Sequence, residues 1–352
     1  MADILALATA GLRPDQLNDT EHARYPRVDY LELQRCLNMD VLDYDIYNHA
    51  RLGSMLRRLD TVLRSDLYLT LAGLLAKRTY RLVFAMSERV GIPFAGLHRI
   101  LPHRRPLVTM FTCWSARQER MITRLNLFAA MDSIIVKCQS MKEHFIKLGA
   151  PAERIHVIPY AVDQRFFMPL LQVEQQNGFV MSLGETRTRD YRTLFRAIDG
   201  LSMKLLVAAS GSWYAREKDT SLPLTIPDNV TVTKGFSRSE LKTLYARAQF
   251  VVLPVYDQVF SAGATGVLEA MCMGRAVVVT RSRGIIDYVI DGETGILVDQ
   301  GDVAGMREAI QYLLAHPEES RRMGANARRR IETELNLDRY VENIAHVLHA
   351  HL

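Results

Sequence analysis

Short runs of apolar and β-branched residues recur along the chain, at 81–85, 106–111, 133–136, 155–158, 179–182, 205–208, 230–233, 250–253 and 276–280, each followed by a stretch with helical spacing. Near-continuous apolarity, without alternation, marks strands covered on both faces. Such strands separated by helical segments predict parallel βαβ units, so the expected class is α/β and doubly wound. After residue 163 the pattern gives way to 164–169 and then to the polar stretch 172–178, which predicts a linker. That linker divides the 352 residues into two Rossmann-like halves, 1–165 and 166–352, in keeping with a length that fits two domains.

Composition adds exclusions. A hydrophobic share of 48% and a charged share of 24% are those of an ordinary globular chain, not of a disordered, collagenous or disulfide-stapled one. The net charge of +5 is unevenly spread: residues 1–170 carry 23 Lys+Arg against 17 Asp+Glu, and residues 171–352 carry 21 against 22. Within 77–124, Lys77, Arg78, Arg81, Arg89, Arg99, Arg104, Arg105, Arg117, Arg120 and Arg124 face only Glu88 and Glu119. Just before it, Leu52, Leu56, Leu59 and Leu63 form a stripe at helical spacing beside Arg57, Arg58 and Arg64. A basic amphipathic segment of this kind either lies on an anionic membrane surface or is a solvated face packed on its own sheet, and the pattern leaves both open. No apolar run approaches the roughly 18–20 residues of a membrane span, and the start has no basic region of a signal peptide. A cytoplasmic protein is expected, with peripheral attachment to the inner face of the membrane as the alternative that the basic stretch leaves open. Cys36, Cys113, Cys138 and Cys272 form no C-x-x-C pair and read as reduced thiols; the histidines make no metal-ligand spacing, so no metal is expected.

The densest chemical signal lies between residues 229 and 301. Small residues at Ser261, Ala262, Gly263, Ala264, Thr265 and Gly266 precede a helical run containing Glu269. They let backbone approach a ligand, and the first turn of a helix offers unpaired N–H groups to an anion. The same glycines would equally serve helix–sheet packing, with Glu269 satisfying a local donor. Upstream, Ser237 or Ser239 is placed to cap a helix behind the Gly235 turn.

Taken together and in order, residues from about 130 to 345 resemble the retaining GT-B glycosyltransferases called glycosyl transferases group 1, or glycosyltransferase family four. The likeness rests on Ile158-Pro159-Tyr160-Ala161-Val162-Asp163, on Ser182-Leu183-Gly184 with Arg189-Asp190-Tyr191, on Leu268-Glu269-Ala270-Met271, on Gly274-Arg275-Ala276-Val277-Val278 and on Asp291-Gly292-Glu293-Thr294-Gly295. The resemblance implies two facing Rossmann-like domains around a cleft, an N-terminal acceptor domain and a C-terminal nucleotide-sugar donor domain, with a final helix, 337–348, crossing back to the first. It implies a metal-independent, cofactor-free transferase using a UDP- or GDP-sugar, with no nucleic acid as partner. Glu269 matches the family's second motif glutamate, which accepts hydrogen bonds from the ribose. Ala262, Gly263, Ala264 and Thr265 match the segment whose amides meet the phosphates, and Gly184, Gly235 and Phe236 match donor-side turns.

Two departures bear on the chemistry. The family's first motif glutamate falls at Ser261, and its arginine falls at Glu185, which leaves Arg187 or Arg189 as the candidates for the cation. Arg189 is preferred because it opens the Arg-Asp-Tyr run at a helix start, the alternative being an exposed residue that neutralises Asp190. In the first half the acceptor-side histidine is replaced by Thr112-Cys113-Trp114, and Glu88 is the candidate there, unless it serves only the helix capped by Ser87. Arg189, Glu269 and Glu88 are thus the candidates for the chemistry. The basic stretch fits a lipid-linked or glycan acceptor. Two other functions stay open, a non-catalytic GT-B module that binds a nucleotide or partner, and a sugar-nucleotide 2-epimerase. A nicotinamide enzyme is disfavoured, since residues 10–13 carry no G-x-G-x-x-G.

Overall fold

The computed structural model describes residues 2–9, 20, 24–46, 55, 58, 60, 65–100, 104–170, 178–184, 188–209 and 226–352. The chain forms two compact units, one of Met1–Asn18, Arg27–Pro159 and Asp338–Leu352, the other of Asp19–Pro26 and Tyr160–Leu337. The main changeover thus falls after Pro159 instead of after Arg165, and residues 338–352 belong with the first unit. The stripe at Leu52, Leu56, Leu59 and Leu63 and most of the linker at 172–178 lie outside the described residues.

In the first unit the strands are β1 (Ile4–Leu7), β2 (Met39–Leu42), β3 (Leu82–Ala85), β4 (Leu107–Met110), β5 (Ser133–Val136) and β6 (Ile155–Val157), joined in the order β2-β1-β3-β4-β5-β6 with every pairing parallel. The four residues of β1, β3, β4 and β5 are all buried, which is why the last three read as near-continuous apolar runs; β1, equally buried, is not among the runs picked out in the sequence. The helices are α1 (Asp29–Cys36), α2 (Leu67–Ala76), α3 (Glu88–His98), α4 (Ala116–Arg124) and α5 (Gln139–Lys147).

The second unit carries β7 (Val180–Gly184), β8 (Leu205–Ala209), β9 (Val230–Lys234), β10 (Val251–Leu253), β11 (Val277–Thr280) and β12 (Gly295–Val298), in the all-parallel order β12-β11-β10-β7-β8-β9. Its helices are α6 (Tyr191–Ile198), α7 (Arg238–Arg247), α8 (Ala264–Cys272), α9 (Val303–Ala315) and α10 (Pro317–Thr333). Helix α6 shows the sequence logic: Tyr191, Leu194, Phe195 and Ile198, spaced i, i+3, i+4, i+7, are buried, while Arg192 and Arg196 are exposed. That face packs with Ile310 and Leu313 of α9 on the sheet, each side chain contributing about 1.5–3 kcal/mol by burial.

Helix α11 (Leu337–His349) lies almost wholly within the first unit's residues, and it covers Lys137, which follows β5. Lys137 is fully buried, its Nζ donating to the Tyr340 hydroxyl at 2.7 Å and lying 4.5 Å from the centre of that ring. Burial pulls its pKa down to about 7, against the opposing pull of Asp29. Because the folded pKa is depressed, the unfolded chain holds more protons between about pH 7 and 10.5, so this group makes stability rise with pH across that window. We expect denaturation of the wild type to shift to higher urea as pH goes from 7 to 10, by up to about 1.4 kcal/mol per pH unit, relative to Lys137→Met. An unchanged difference between the two across that range would contradict the assignment.

Candidate functional site

From β7 the second sheet builds outward to β8 and β9, and the chain then returns to place β10 on the other side of β7. Beyond the carboxyl ends of strands at such a switch point, an open α/β sheet leaves a crevice for ligands. The loops that follow β7 and β10 are joined there by an antiparallel bridge between Arg189 and Val255 and by the Asp190 amide donating to Pro254 at 2.7 Å.

Arg189 sits at the centre of this junction. It is 7% exposed, and its Nε donates to the Leu183 carbonyl at 2.9 Å and its Nη1 to Thr188 Oγ1 at 3.0 Å. It is not an exposed counter-ion of Asp190, whose carboxylate instead caps α6 by accepting from Thr193 N at 3.1 Å. Two glycines make room for the guanidinium. Gly184 has φ +117, and a Cβ there would come within 2.7–2.8 Å of guanidinium atoms. Gly263 has φ +94, and a Cβ there would meet Val255 at 2.9 Å and both terminal nitrogens of Arg189 at 3.4 Å. Both positions therefore need glycine for backbone conformation and for space.

Gly263 is also the N-cap of α8, and among the described residues no side chain caps that end. The first bond of the helix's own ladder runs from Val267 N to Gly263 O at 3.2 Å, which leaves the amides of Thr265 and Gly266 outside it. A buried guanidinium thus abuts the positive end of a helix whose Thr265 and Gly266 amides have no partner among the described residues, an arrangement that suits an anion of more than one oxygen. The preceding loop is held tightly: Ala262 N donates to Phe260 O at 2.7 Å, and a Cβ on Gly284 would fall 2.1 Å from that same carbonyl oxygen. Ser261 is buried, and the Tyr288 hydroxyl donates to its Oγ at 3.4 Å.

Further along α8, Glu269 is 3% exposed and both its oxygens are engaged. Arg238 Nη1 donates to Oε1 and the Tyr245 hydroxyl to Oε2, each at 2.9 Å. Burial raises the carboxyl's pKa while Arg238 opposes it, and burial together with Glu269 pushes the Tyr245 hydroxyl well above its ordinary value. Each carboxylate oxygen keeps a second lone pair for another donor. Arg238 and Tyr245 were not among the sequence candidates; seven residues apart, they lie on one face of α7, which is the signal that would have paired them. Ser237, not Ser239, caps that helix, in a reciprocal box with Glu240. Just before it, Gly235 has φ +88 and is exposed, and Phe236 is half-buried. Arg187 and Glu185 lie outside the described residues.

Glu88 belongs to the first unit, at the start of α3 and at the carboxyl end of β3, where that sheet has its own switch point beside β1. It is 4% exposed, and its Oε2 accepts from both the amide and the hydroxyl of Thr112 at 3.1 Å. Burial raises its pKa. Ser87 caps the same helix by accepting from Arg89 N, so capping and the Thr112 contact coexist. Next to Thr112, Trp114 Nε1 and His144 Nε2 converge on Oε2 of Glu119 at 2.7 and 2.9 Å, a cluster that sequence reading did not single out.

Two sheets of this order and the arrangement at the second switch point define a two-domain α/β protein of the GT-B class. Residues 174–330 match the model of the family described as Glycosyl transferases group 1. An MMP alpha-(1->4)-mannosyltransferase of Mycolicibacterium hassiacum is 26% identical over 232 residues, covering 64% of this chain and 54% of that protein. A GDP-mannose-dependent alpha-(1-6)-phosphatidylinositol monomannoside mannosyltransferase of Mycolicibacterium smegmatis is 30% identical over 128 residues, 35% of this chain and 34% of that one. The chain therefore spans about half, or less, of the length of these relatives. Among solved structures, Anabaena Alr3699/HepE in complex with UDP-glucose superposes with a TM-score of 0.72 over 99% of both chains at 17% identity, a likeness of fold.

Proposed function

We propose that the chain is a retaining, metal-independent glycosyltransferase that moves a sugar from a UDP- or GDP-sugar to an acceptor hydroxyl. The observation that carries this reading is the Arg189 guanidinium wedged between Gly184 and Gly263 at the uncapped start of α8. A diphosphate placed there gains charge as the sugar departs, and a fixed cation beside free helix amides stabilises that charge without reorganisation. Glu269 then receives the ribose hydroxyls, and front-face attack by the acceptor, with the leaving phosphate taking its proton, retains the anomeric configuration. Among the described residues no three His, Cys, Asp or Glu side chains are grouped to hold a metal. On the first unit, Glu88 is the acceptor-side group.

A lipid-linked acceptor at the inner face of a membrane is the finer part of the proposal. On α4, Arg117, Arg120 and Arg124 are exposed beside exposed Met121 and Leu125, which offers anionic lipid both charge and apolar area. One relative carries a phosphatidylinositol glycolipid in its name. No helix among the described residues is long and apolar enough to cross a membrane.

A non-catalytic nucleotide-binding module is a second reading, favoured by Ser261, whose hydroxyl is occupied by Tyr288 where the family expects a carboxylate. Incubation with UDP- and GDP-sugars separates the two. We expect nucleoside diphosphate release that depends on an acceptor, with NMR of the product showing the donor's anomeric configuration kept. An inverted product would remove the retaining mechanism, and nucleotide binding without turnover under every acceptor condition would leave the binding module. Co-sedimentation with anionic vesicles that ignores salt would dismiss the basic face as a membrane contact.

A further inference from the structure

A cavity of about 780 Å³ opens at the other end of the second sheet. Its lining residues Gln249 and Arg275 lie two residues before β10 and β11, and because all the strands run parallel it lies at their amino ends, away from the loops that hold Arg189 and Gly263. Met273, Leu313 and Leu314 give it an apolar wall, and Arg275, Arg321 and Arg328 a cationic one, with no Asp or Glu among the described residues that line it. A space of this size is in the range that holds a small organic ligand, roughly 300–1,000 Å³.

The three arginines are not equivalent. Arg328 is committed to the fold, donating to the carbonyls of Phe167 and Cys272 at 2.8 and 2.7 Å and pairing with Glu332. Arg321 is exposed and has no hydrogen bond or ion pair among the described residues. Arg275 is the anomaly: it is 9% exposed, Nη2 donates to the Ala246 carbonyl at 2.8 Å, and Nε is enclosed with no hydrogen-bond partner. Burial shifts its pKa downward, and no charge among the described residues opposes the shift. A buried cation without a counter-charge is costly, and an anion entering the adjoining cavity removes that cost.

We propose that this cavity binds an amphiphilic anion, a phosphate or carboxylate head on an apolar body, with Arg275 and Arg321 holding the head and Met273, Leu313 and Leu314 the body. The site is separate from the donor position and does not depend on the transferase reading. Isothermal titration with octyl phosphate, with inorganic phosphate as the head alone, tests it, UDP affinity being measured in parallel. Wild type should bind octyl phosphate saturably and more tightly than inorganic phosphate. Arg275→Met should weaken octyl phosphate about tenfold or more, with UDP affinity unchanged. Arg321→Ala, on an exposed residue, should weaken it several-fold and keeps the test decisive if Arg275→Met does not fold. Co-sedimentation with phosphatidylglycerol vesicles, lost in the same variants, would identify a lipid head group as the source; binding of octyl phosphate without it would identify a soluble ester. No saturable binding by wild type, or equal binding by the folded variants, overturns the proposal.

Discussion

Arg189→Ala is expected to lower kcat/KM for nucleotide-sugar turnover by about 10²–10³-fold, the usual loss when a fixed donor to a developing oxyanion is removed. The structure explains why the effect should be large. The guanidinium is oriented by the Leu183 carbonyl and Thr188 Oγ1, so its position is set before any substrate arrives. Arg189→Lys should recover little, because an ammonium offers a point charge where the planar group offers two parallel donors. Gly184→Ala is the complementary test: the new Cβ would displace the guanidinium from its slot, since it would stand 2.7 Å from Nη2, and the loss should approach that of Arg189→Ala although no charge is removed. Release of nucleoside diphosphate is the readout, with thermal melting to confirm folding. Turnover of a folded Arg189→Ala within about tenfold of wild type would sink the role assigned here.

Glu269→Ala is expected to weaken UDP or GDP binding about 100-fold, because two ribose hydroxyls lose a charged acceptor. A cost in stability accompanies it. The Tyr245 hydroxyl is fully buried and would be left without its partner, a loss of about 1–3 kcal/mol, whereas Arg238 is partly exposed and can turn to water. Glu269→Gln divides these effects, since an amide oxygen still accepts from one neighbour. Titration calorimetry with the nucleotide, set beside melting curves, reads both. Undiminished nucleotide affinity in a folded Glu269→Ala would place the ribose elsewhere.

The interior strands were legible because burial on both faces writes itself as unbroken apolarity, as in Leu82–Ala85 and Ser133–Val136. The strands absent from that pattern mostly sit at edges. Met39–Leu42 carries Asp40, and Gly295–Val298 is only partly buried, since each has a neighbour on one side alone. Arg189 was legible from its place before a helix start. Its alternative as an exposed counter-ion failed for a reason local sequence does not carry, that the room it fills is made by Gly184 and by Gly263, far along the chain. The partners of Glu269 were hidden likewise, because Arg238 and Tyr245 meet it across two helices, 31 and 24 residues away.

The first unit is not continuous in sequence: its sheet is complete by Pro159, yet residues 338–352, including Tyr340 over Lys137, come only after the whole of 160–337. During synthesis from the N-terminus, the whole of 160–337 must emerge before that helix is available. Until then the first unit exposes the apolar seat of that helix. The first unit is thus completed only by residues translated after the segment that interrupts it, and a chain shortened to end before residue 338 would leave that seat open.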